Sequence, residues 1–274
     1  MKEKLDVLLV KNGFFEDLDK AKRACMAGLV IVNDKRYDKP GTMIKIEDDM
    51  IIRIKGDKLP YVSRGGLKLA KAITSFNLDF KDKIVLDVGA STGGFTDCAL
   101  QNGAKFCYAV DVGTNQLDWK LRSNNQVKSL ENTHINNLTF EEIDNSKIDY
   151  IVMDVSFISI KKILFDLKRF FDRDTKLMAL IKPQFEAEKQ DIARGGIVKD
   201  REVHKKIIED IVKFAKENGL YLEKLDYSPI TGTKGNVEYI SLFGLEDIES
   251  DIDIEKIVNE GENLGGKYEK KTKK

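Results

Sequence analysis

The chain has little cysteine and little histidine. Among its 274 residues only Cys25, Cys98 and Cys107 are cysteines, and only His134 and His204 are histidines. An odd number of cysteines without a C-x-x-C pair argues against a disulfide framework and against a zinc site, and two separated histidines do not make a metal site. We therefore predict no metal, three cysteines packed as small core residues, and His204 on the surface of a helix.

The chain also lacks net charge and long apolar runs. Its 46 basic and 46 acidic side chains cancel, so only local basic patches would bind a nucleic acid. No apolar run approaches the ~18 residues of a membrane helix, and the first segment carries Glu3, Asp6 and Lys11 where a signal peptide would be apolar. The sequence thus predicts a soluble, cytoplasmic protein with no membrane partner and no obligate protein partner.

The pattern of the chain changes near residue 58. Residues 1–57 predict two helices followed by short strands, and residues 58–62 contain a proline and form a linker. Residues 63–246 alternate strands with helices, which indicates an α/β fold with a parallel sheet. We predict a Rossmann-like, seven-stranded methyltransferase-type sheet whose last two strands form an antiparallel hairpin at its edge. The charged tail, residues 247–274, is expected to form a short helix at most and then disorder.

The stretch VLDVGASTGGFTD, residues 85–97, has the form of a strand, a tight glycine turn and the start of a helix. Such a turn lets a nucleotide approach the backbone closely. Phe95 and Thr96 follow the last glycine, which excludes a P-loop, and the glycine spacing misses the dinucleotide fingerprint. An S-adenosylmethionine loop remains, with Asp111 of the next strand placed to accept both ribose hydroxyls; the alternative is a plain turn with two solvated aspartates. The candidate cofactor residues are Asp87, Gly89, Ser91, Thr92, Gly93, Gly94, Phe95 and Asp111.

The stretch KLMALIKPQFE, residues 176–186, ends an apolar strand on Lys182. The predicted strand order brings Asp154, Glu238 and Lys68 to the same edge of the sheet. A ribose hydroxyl needs a group that takes its proton, and a second ammonium lowers the pKa of a neighbouring lysine. The four residues therefore predict a catalytic site for methylating a ribose hydroxyl. The alternative is that Lys182 only pairs with a carboxylate at the sheet edge.

At these positions the chain resembles the TlyA family, often labelled hemolysin A, whose catalytic domain resembles the FtsJ-type ribose methyltransferases. The matching stretches are YVSRGGLKL, LDVGASTGGFTD, DVSFIS, LIKPQFE, RGGIVKD and SPITGTKGNVEY. The resemblance implies S-adenosylmethionine-dependent 2′-O-methylation of cytidine in ribosomal RNA by a Lys-Asp-Lys-Glu tetrad. Position by position, the tetrad falls on Lys68, Asp154, Lys182 and Glu238.

Residues 1–57 resemble the S-four (S4) type of RNA-binding domain through LDVLLVKNGFF, KAKRACMAGLVIVN and DKPG. The resemblance implies that basic side chains here meet RNA phosphates, which are contacts independent of base sequence. The alternative is an ordinary solvated face. The candidate RNA-binding residues, including one at the start of the catalytic domain, are Lys4, Lys20, Lys22, Arg23, Lys35, Arg36 and Arg64.

The chain departs from the family pattern in three places. The second helix begins with Asp17 and Leu18 where the family usually has Ser-Arg, which puts the direction of RNA binding in doubt. The linker reads LPYV where the family commonly has R-x-W-V, and Glu131 begins ENTHIN where the family tends towards E-R-T-N-x-R. A cofactor-sensing linker and adenine contacts after the third strand are therefore not carried over to this chain.

Three classes of function compete at this point. An RNA ribose methyltransferase acting on ribosomal RNA or ribosomal subunits fits best, and an RNA-binding protein with a non-catalytic methyltransferase scaffold comes second. A membrane-lysing hemolysin fits least, because the sequence shows neither a signal peptide nor a strongly amphipathic cationic helix. Base methylation also fits less well, since the stretch after the fourth strand reads DVSF rather than N/D-P-P-Y/F and no cysteine lies near Lys182.

Overall fold

The computed structural model describes residues 2–12, 14–15, 17–32, 35–46, 52–54, 60–232, 235–248 and 251–272. The chain divides into two compact units, one formed by Met1–Lys58 with Glu269–Lys274 and the other by Leu59–Tyr268. The first two residues of the predicted linker, parts of the predicted strand DDMIIRIK and the last two residues of the tail lie outside the described residues.

Within Met1–Lys58, the described residues of the first unit form two helices and five short strands. Its elements are β1 (Lys2–Lys4), α1 (Leu5–Lys11), α2 (Leu18–Met26), β2 (Val30–Val32), β3 (Lys35–Tyr37), β4 (Met43–Lys45) and β5 (Ile52–Ile54). Strand β1 pairs with β4, and β2 lies between β3 and β5, all antiparallel. The carboxylate of Asp17 accepts a hydrogen bond of 2.7 Å from the backbone nitrogen of Lys20. The unusual Asp-Leu pair therefore keeps a side-chain cap on α2.

The second unit is built on a seven-stranded sheet with helices between the strands, as predicted. Its α-helices and strands are α3 (Gly65–Phe76), β6 (Ile84–Val88), α4 (Gly94–Gln101), β7 (Phe106–Val110), α5 (Trp119–Arg122), β8 (Val127–Leu130), β9 (Tyr150–Met153), α6 (Ile160–Leu167), β10 (Lys176–Ile181), α7 (Pro183–Glu186), α8 (Arg201–Glu217), β11 (Tyr221–Tyr227), β12 (Tyr239–Gly244) and, as far as Tyr268, α9 (Ile254–Thr272). The strand order is β11-β12-β10-β9-β6-β7-β8, and β12 runs antiparallel to both of its neighbours. The predicted antiparallel hairpin at one edge is thus confirmed.

The seven-stranded sheet is buried on both faces, as is usual when crossover helices cover a parallel sheet. Along β6, Leu86 and Val88 belong to one apolar cluster and Val85 to the other, since successive residues of a strand point to opposite faces. All three cysteines are buried free thiols, as predicted, and Cys98 and Cys107 lie in the second of these clusters. Helices α3 and α4, which carry predicted site residues, are anchored by the same cluster.

The end of the chain differs from its prediction. Helix α9 spans Ile254–Thr272, far more than a short helix. Val258 is 2% exposed and belongs to the main apolar cluster, while Ile254 and Ile257 pack against it. These three residues have the i, i+3, i+4 spacing of one helix face. The expectation of a short helix at most was wrong because alternating charges conceal this apolar stripe, and the expected disorder of the tail stays a prediction.

His204 also differs from its prediction, because it is only 1% exposed. Its Nδ1 lies 2.7 Å from the hydroxyl of Tyr239, and its Nε2 lies 3.1 Å from the carbonyl oxygen of Val198. Burial lowers the pKa of His204, so the ring is neutral at neutral pH. His204 shares the buried face of α8 with Ile207 and Ile208, three and four residues further on. The surface position was wrong because this histidine continues the apolar stripe of the helix.

Candidate active site

A cavity of about 540 Å³ opens where strands β6, β9 and β10 end. The predicted site residues that line it are Arg64, Lys68, Asp87, Gly89, Ser91, Thr92, Gly94, Phe95, Asp154 and Lys182. Three other predicted residues, Gly93, Asp111 and Glu238, are not among the lining residues. The lining residues that the sequence analysis missed are Ser63, Gly65, Ala90, Ser156, Ile230, Thr231 and Gly232. All seven are uncharged, and no residue type among them indicates a particular chemistry.

Asp87 is the last residue but one of β6, lines the cavity and is completely buried. Its Oδ2 accepts hydrogen bonds of 2.9 Å from the backbone nitrogen of Thr96 and of 2.6 Å from the hydroxyl of the same residue. Its Oδ1 is buried and has no hydrogen-bond partner in the described part of the chain. Burial raises the pKa of Asp87 to about 7, although the hydrogen bonds from Thr96 oppose this rise. The site therefore contains one buried acceptor that is available to a ligand.

The glycines of the loop after β6 each pack closely against a different neighbouring element. Gly89 has a φ of 80°, and a Cβ there would lie 3.1 Å from the carbonyl oxygen of Asp154. A Cβ on Gly94 would lie 2.9 Å from the backbone nitrogen of Gly66. A Cβ on Gly93 would meet a leucine side chain of α5 at 2.3 Å, on the side away from the cavity. Only glycine lets this loop pack tightly against the neighbouring elements.

Asp111 follows β7 and connects two loops. Its Oδ2 accepts a hydrogen bond of 2.7 Å from the backbone nitrogen of Ser91, and its Oδ1 accepts one of 2.7 Å from the backbone nitrogen of Gly113. Each carboxylate oxygen keeps a second lone pair for a ligand. The structure thus assigns Asp111 a role in holding the glycine loop, and its predicted contact with ribose hydroxyls stays a prediction.

Glu131, the first residue of the divergent ENTHIN stretch, is engaged in a similar way. Its carboxylate accepts hydrogen bonds from the backbone nitrogens of residues 115, 116 and 117, and it pairs with Arg122 at 2.8 Å. Three backbone donors and one guanidinium hold the loop after β7 against the end of β8. The side chain therefore acts on the shape of this loop.

The four predicted catalytic residues form one chain of contacts. The Nζ of Lys182 lies 2.5 Å from Asp154 Oδ1, and the Nζ of Lys68 lies 3.3 Å from Asp154 Oδ2. The same Lys68 Nζ lies 2.7 Å from Glu238 Oε2. They come together because α3 packs on a sheet in which β10 lies between β9 and β12. Cations and anions alternate along this chain, so each buried charge contacts an opposite charge.

The pKa values of the central pair follow from these contacts. Burial alone would lower the pKa of Lys68, but the carboxylates of Asp154 and Glu238 outweigh burial and raise it. Burial alone would raise the pKa of Asp154, but the ammonium groups of Lys68 and Lys182 outweigh it and lower it. Both central groups are therefore charged at neutral pH. Lys68 keeps its proton because it contacts two carboxylates.

Two neutral side chains stand at the ends of the charged chain. The Nζ of Lys182 donates a hydrogen bond of 2.9 Å to Ser156 Oγ, and the Nε2 of Gln184 donates one of 3.1 Å to Glu238 Oε1. The sequence analysis missed both residues. Their only signal was position, since each lies two residues after a tetrad member in the stretches DVSF and KPQF.

The predicted RNA-binding residues are exposed. They are Lys4, Lys20, Lys22, Arg23, Lys35, Arg36 and Arg64. Lys22 lies 4.0 Å from Asp19. An exposed ion pair of this kind contributes little free energy, so it leaves Lys22 able to pair with a phosphate instead. Arg64 lines the cavity as well. Exposure makes these side chains accessible to RNA, and their contacts stay predictions.

The described ranges contain neither a metal-binding cluster nor a membrane-spanning helix. No group of three or more His, Cys, Asp or Glu residues there is placed to hold a metal ion. No helix in the same ranges combines the length and the apolar composition that crossing a membrane requires.

Comparison with known proteins gives matches along most of the chain. A family model for FtsJ-like methyltransferases matches residues 61–245, and a model for the S4 domain matches residues 3–51. YqxC of Bacillus subtilis, described as a candidate rRNA methyltransferase, is 48% identical over 239 residues, which cover 87% of this chain and 84% of YqxC. The 16S/23S rRNA (cytidine-2′-O)-methyltransferase TlyA of Mycobacterium tuberculosis is 35% identical over 236 residues, which cover 86% of this chain and 87% of TlyA. A solved structure from Streptococcus thermophilus, described as a candidate hemolysin, is 44% identical, has a TM-score of 0.75 and matches over 98% of both chains.

Proposed function

Because the chain belongs to the TlyA family and its larger unit contains an FtsJ-like methyltransferase domain, we propose that it methylates the 2′-oxygen of a cytidine ribose in ribosomal RNA, with S-adenosylmethionine as donor. The observation that carries this proposal is the buried chain from Lys182 through Asp154 and Lys68 to Glu238 at the edge of the cavity. A plain turn or an isolated ion pair would not need two lysines and two carboxylates from four separate segments.

The residues at the cavity fit S-adenosylmethionine. Among the residues that the structure describes, the Oδ1 of Asp87 has no hydrogen-bond partner, so it is an acceptor suited to an ammonium group, and the glycine loop leaves room for close approach to the backbone. When bound, this cofactor supplies a methyl group on a positively charged sulfur. The residues that we assign to hold it are Asp87, Gly89, Ser91, Thr92, Gly94, Phe95 and Asp111, while Gly93 lets the loop pack against α5.

The tetrad divides the remaining work. A ribose hydroxyl has a pKa far above neutral, so a group at the site has to take or stabilise its proton. Lys182 lines the cavity and contacts one carboxylate and one neutral hydroxyl, so we assign this role to its Nζ. Lys68 contacts two carboxylates, which raise its pKa, and therefore keeps its proton and fixes the positions of Asp154 and Glu238. The site also has to hold the ribose oxygen in line with the methyl group, and this positioning supplies much of the rate.

The S4 domain supports an RNA substrate. The model for this domain matches residues 3–51, and its predicted basic side chains are exposed. Lys and Arg contacts to phosphates position an RNA without reading its sequence. We therefore propose ribosomal RNA or a ribosomal subunit as the partner, which places the activity in the cytoplasm where ribosomes are found.

The test is transfer of labelled methyl groups to purified ribosomal subunits from a strain without the endogenous modification, followed by chemical mapping of the labelled nucleotide. We expect the label on the 2′-oxygen of a cytidine. Label on a base would keep the cofactor assignment and refute ribose methylation. No label on either subunit, with cofactor still bound, would refute the enzyme and leave an RNA-binding scaffold.

A further inference from the structure

Gln184 lies where the charged chain ends on Glu238. We propose that Gln184 is a positioning residue for methyl transfer, whose amide holds the Glu238 carboxylate, and through it the ammonium of Lys68, in the working orientation. The inference rests on the proposed function, because it concerns the same site.

The Glu238 carboxylate is enclosed and depends on few donors. Glu238 is 3% exposed. Its Oε2 accepts a hydrogen bond of 2.7 Å from Lys68, and its Oε1 accepts one of 3.1 Å from Gln184. A Cβ on Gly232 would lie only 2.1 Å from Oε1, so the backbone closes this side of the carboxylate. Without the amide, Oε1 would lack this donor, and the carboxylate would turn to share the Lys68 ammonium between both oxygens.

The charges fix the direction of the Gln184 amide. A carbonyl oxygen against the Glu238 carboxylate would bring two acceptors together, so Nε2 has to face Glu238. The Oε1 of Gln184 is then buried, and the described residues offer it no hydrogen-bond partner. An amide that buries an unpaired oxygen costs stability. The hydrogen bond that Gln184 Nε2 donates to Glu238 therefore explains why an amide occupies this position.

Gln184 also closes the charged chain into a ring. The chain runs from Lys182 through Asp154, Lys68 and Glu238 to Gln184, and Pro183 alone separates its first and last members. Proline has a fixed φ, so this short segment holds both ends at a set separation. A shift of Lys182 or Gln184 therefore also changes the contacts of Lys68 with both carboxylates.

Two substitutions separate positioning from packing. Gln184→Met keeps the length of the side chain and removes the donor, and we expect kcat to fall about tenfold, or about 1.4 kcal/mol, at every pH, with an unchanged KM for the subunit. Gln184→Glu supplies a donor only while the new carboxyl is protonated. Its rate relative to wild type should be near one at low pH and should fall as pH rises, because two ionised carboxylates repel each other.

A matched control comes from Gln190, whose Nε2 lies 3.0 Å from Glu188 Oε2 on the exposed surface. Gln190→Met and Gln190→Glu should leave kcat and its pH profile unchanged. Wild-type kcat in Gln184→Met, or a Gln184→Glu rate ratio that does not change with pH, would overturn the inference. Cofactor binding by each variant checks that it is folded. A wild-type protein that labels no ribose oxygen would refute the proposed function itself, which is a different outcome.

Discussion

Replacing the buried Asp87 with asparagine should stabilise the protein at neutral pH and weaken cofactor binding. Burial raises the pKa of Asp87 from 3.8 to about 7, the hydrogen bonds from Thr96 lower it, and the negative charges of Asp154 and Asp111 raise it. Burial raises the pKa of the nearby Cys107 thiol, and the negative charge of Asp87 adds to this rise, so Cys107 stays neutral. Because the pKa is higher in the folded state, ionising Asp87 opposes folding. Asparagine has no charge and removes this cost.

The size of the effect follows from the shift in pKa. A rise from 3.8 to about 7 corresponds to roughly 4 kcal/mol, at about 1.4 kcal/mol per unit. The unfolded chain loses the Asp87 proton near pH 4 and the folded chain loses it near pH 7, so wild-type stability falls between these values. The stability gained by Asp87→Asn should therefore increase by roughly 2 to 3 kcal/mol between about pH 5 and about pH 8.

Urea denaturation of both proteins across this pH range measures the difference. Asp210→Asn, which removes an exposed carboxylate from α8, controls for the loss of a negative charge. Calorimetry should show weaker binding of S-adenosylmethionine by Asp87→Asn, because the amide replaces one acceptor oxygen with a donor. A stability difference that is independent of pH would refute the raised pKa. Unchanged cofactor affinity would refute the assignment of Oδ1 as a ligand acceptor.

Two further substitutions test the packing around the site. Gly232→Ala should lower kcat about 10- to 100-fold, because its Cβ would lie 2.1 Å from Glu238 Oε1. The control Gly41→Ala, whose Cβ would have no atom within 4 Å, should leave kcat unchanged. Steady-state kinetics of both variants measures the difference. His204→Leu should lower the free energy of unfolding by about 1–3 kcal/mol, because it leaves the buried Tyr239 hydroxyl unpaired. In urea denaturation, adding Tyr239→Phe should then cost less than it does in the wild type, and additive losses would contradict this coupling.

The sequence predicted an element best when all faces of that element lie in the same environment. The strand over Ile84–Val88 is apolar because both faces of the sheet are covered, and it was predicted from that run. Strand β1, over Lys2–Lys4, is polar and three residues long, so its pattern does not distinguish it from a loop. Helix α9 was missed because its apolar stripe is narrow among many charges. Polar residues whose environment is set by distant neighbours, such as His204, were misplaced.

The same limit applies to the site. Charged residue types at the strand ends, together with one lysine on the helix before the first strand, were sufficient to group Lys68, Asp154, Lys182 and Glu238, because unpaired charges are rarely buried without purpose. The raised pKa of Lys68 depends on which carboxylates touch the lysine, and only the folded structure gives those contacts. Gln184 is neutral and carries no signal of its own. Its role follows only from its distance to Glu238.

The most direct test of the central claim is single-turnover transfer of labelled methyl groups to ribosomal subunits by Lys182→Ala. Lys162→Ala, which removes an exposed lysine from α6, is the matched control. We predict that Lys182→Ala loses about 100- to 10,000-fold in the rate of ribose labelling while it binds S-adenosylmethionine as the wild type does. Ribose labelling by Lys182→Ala at the wild-type rate would contradict the proposed role of the tetrad.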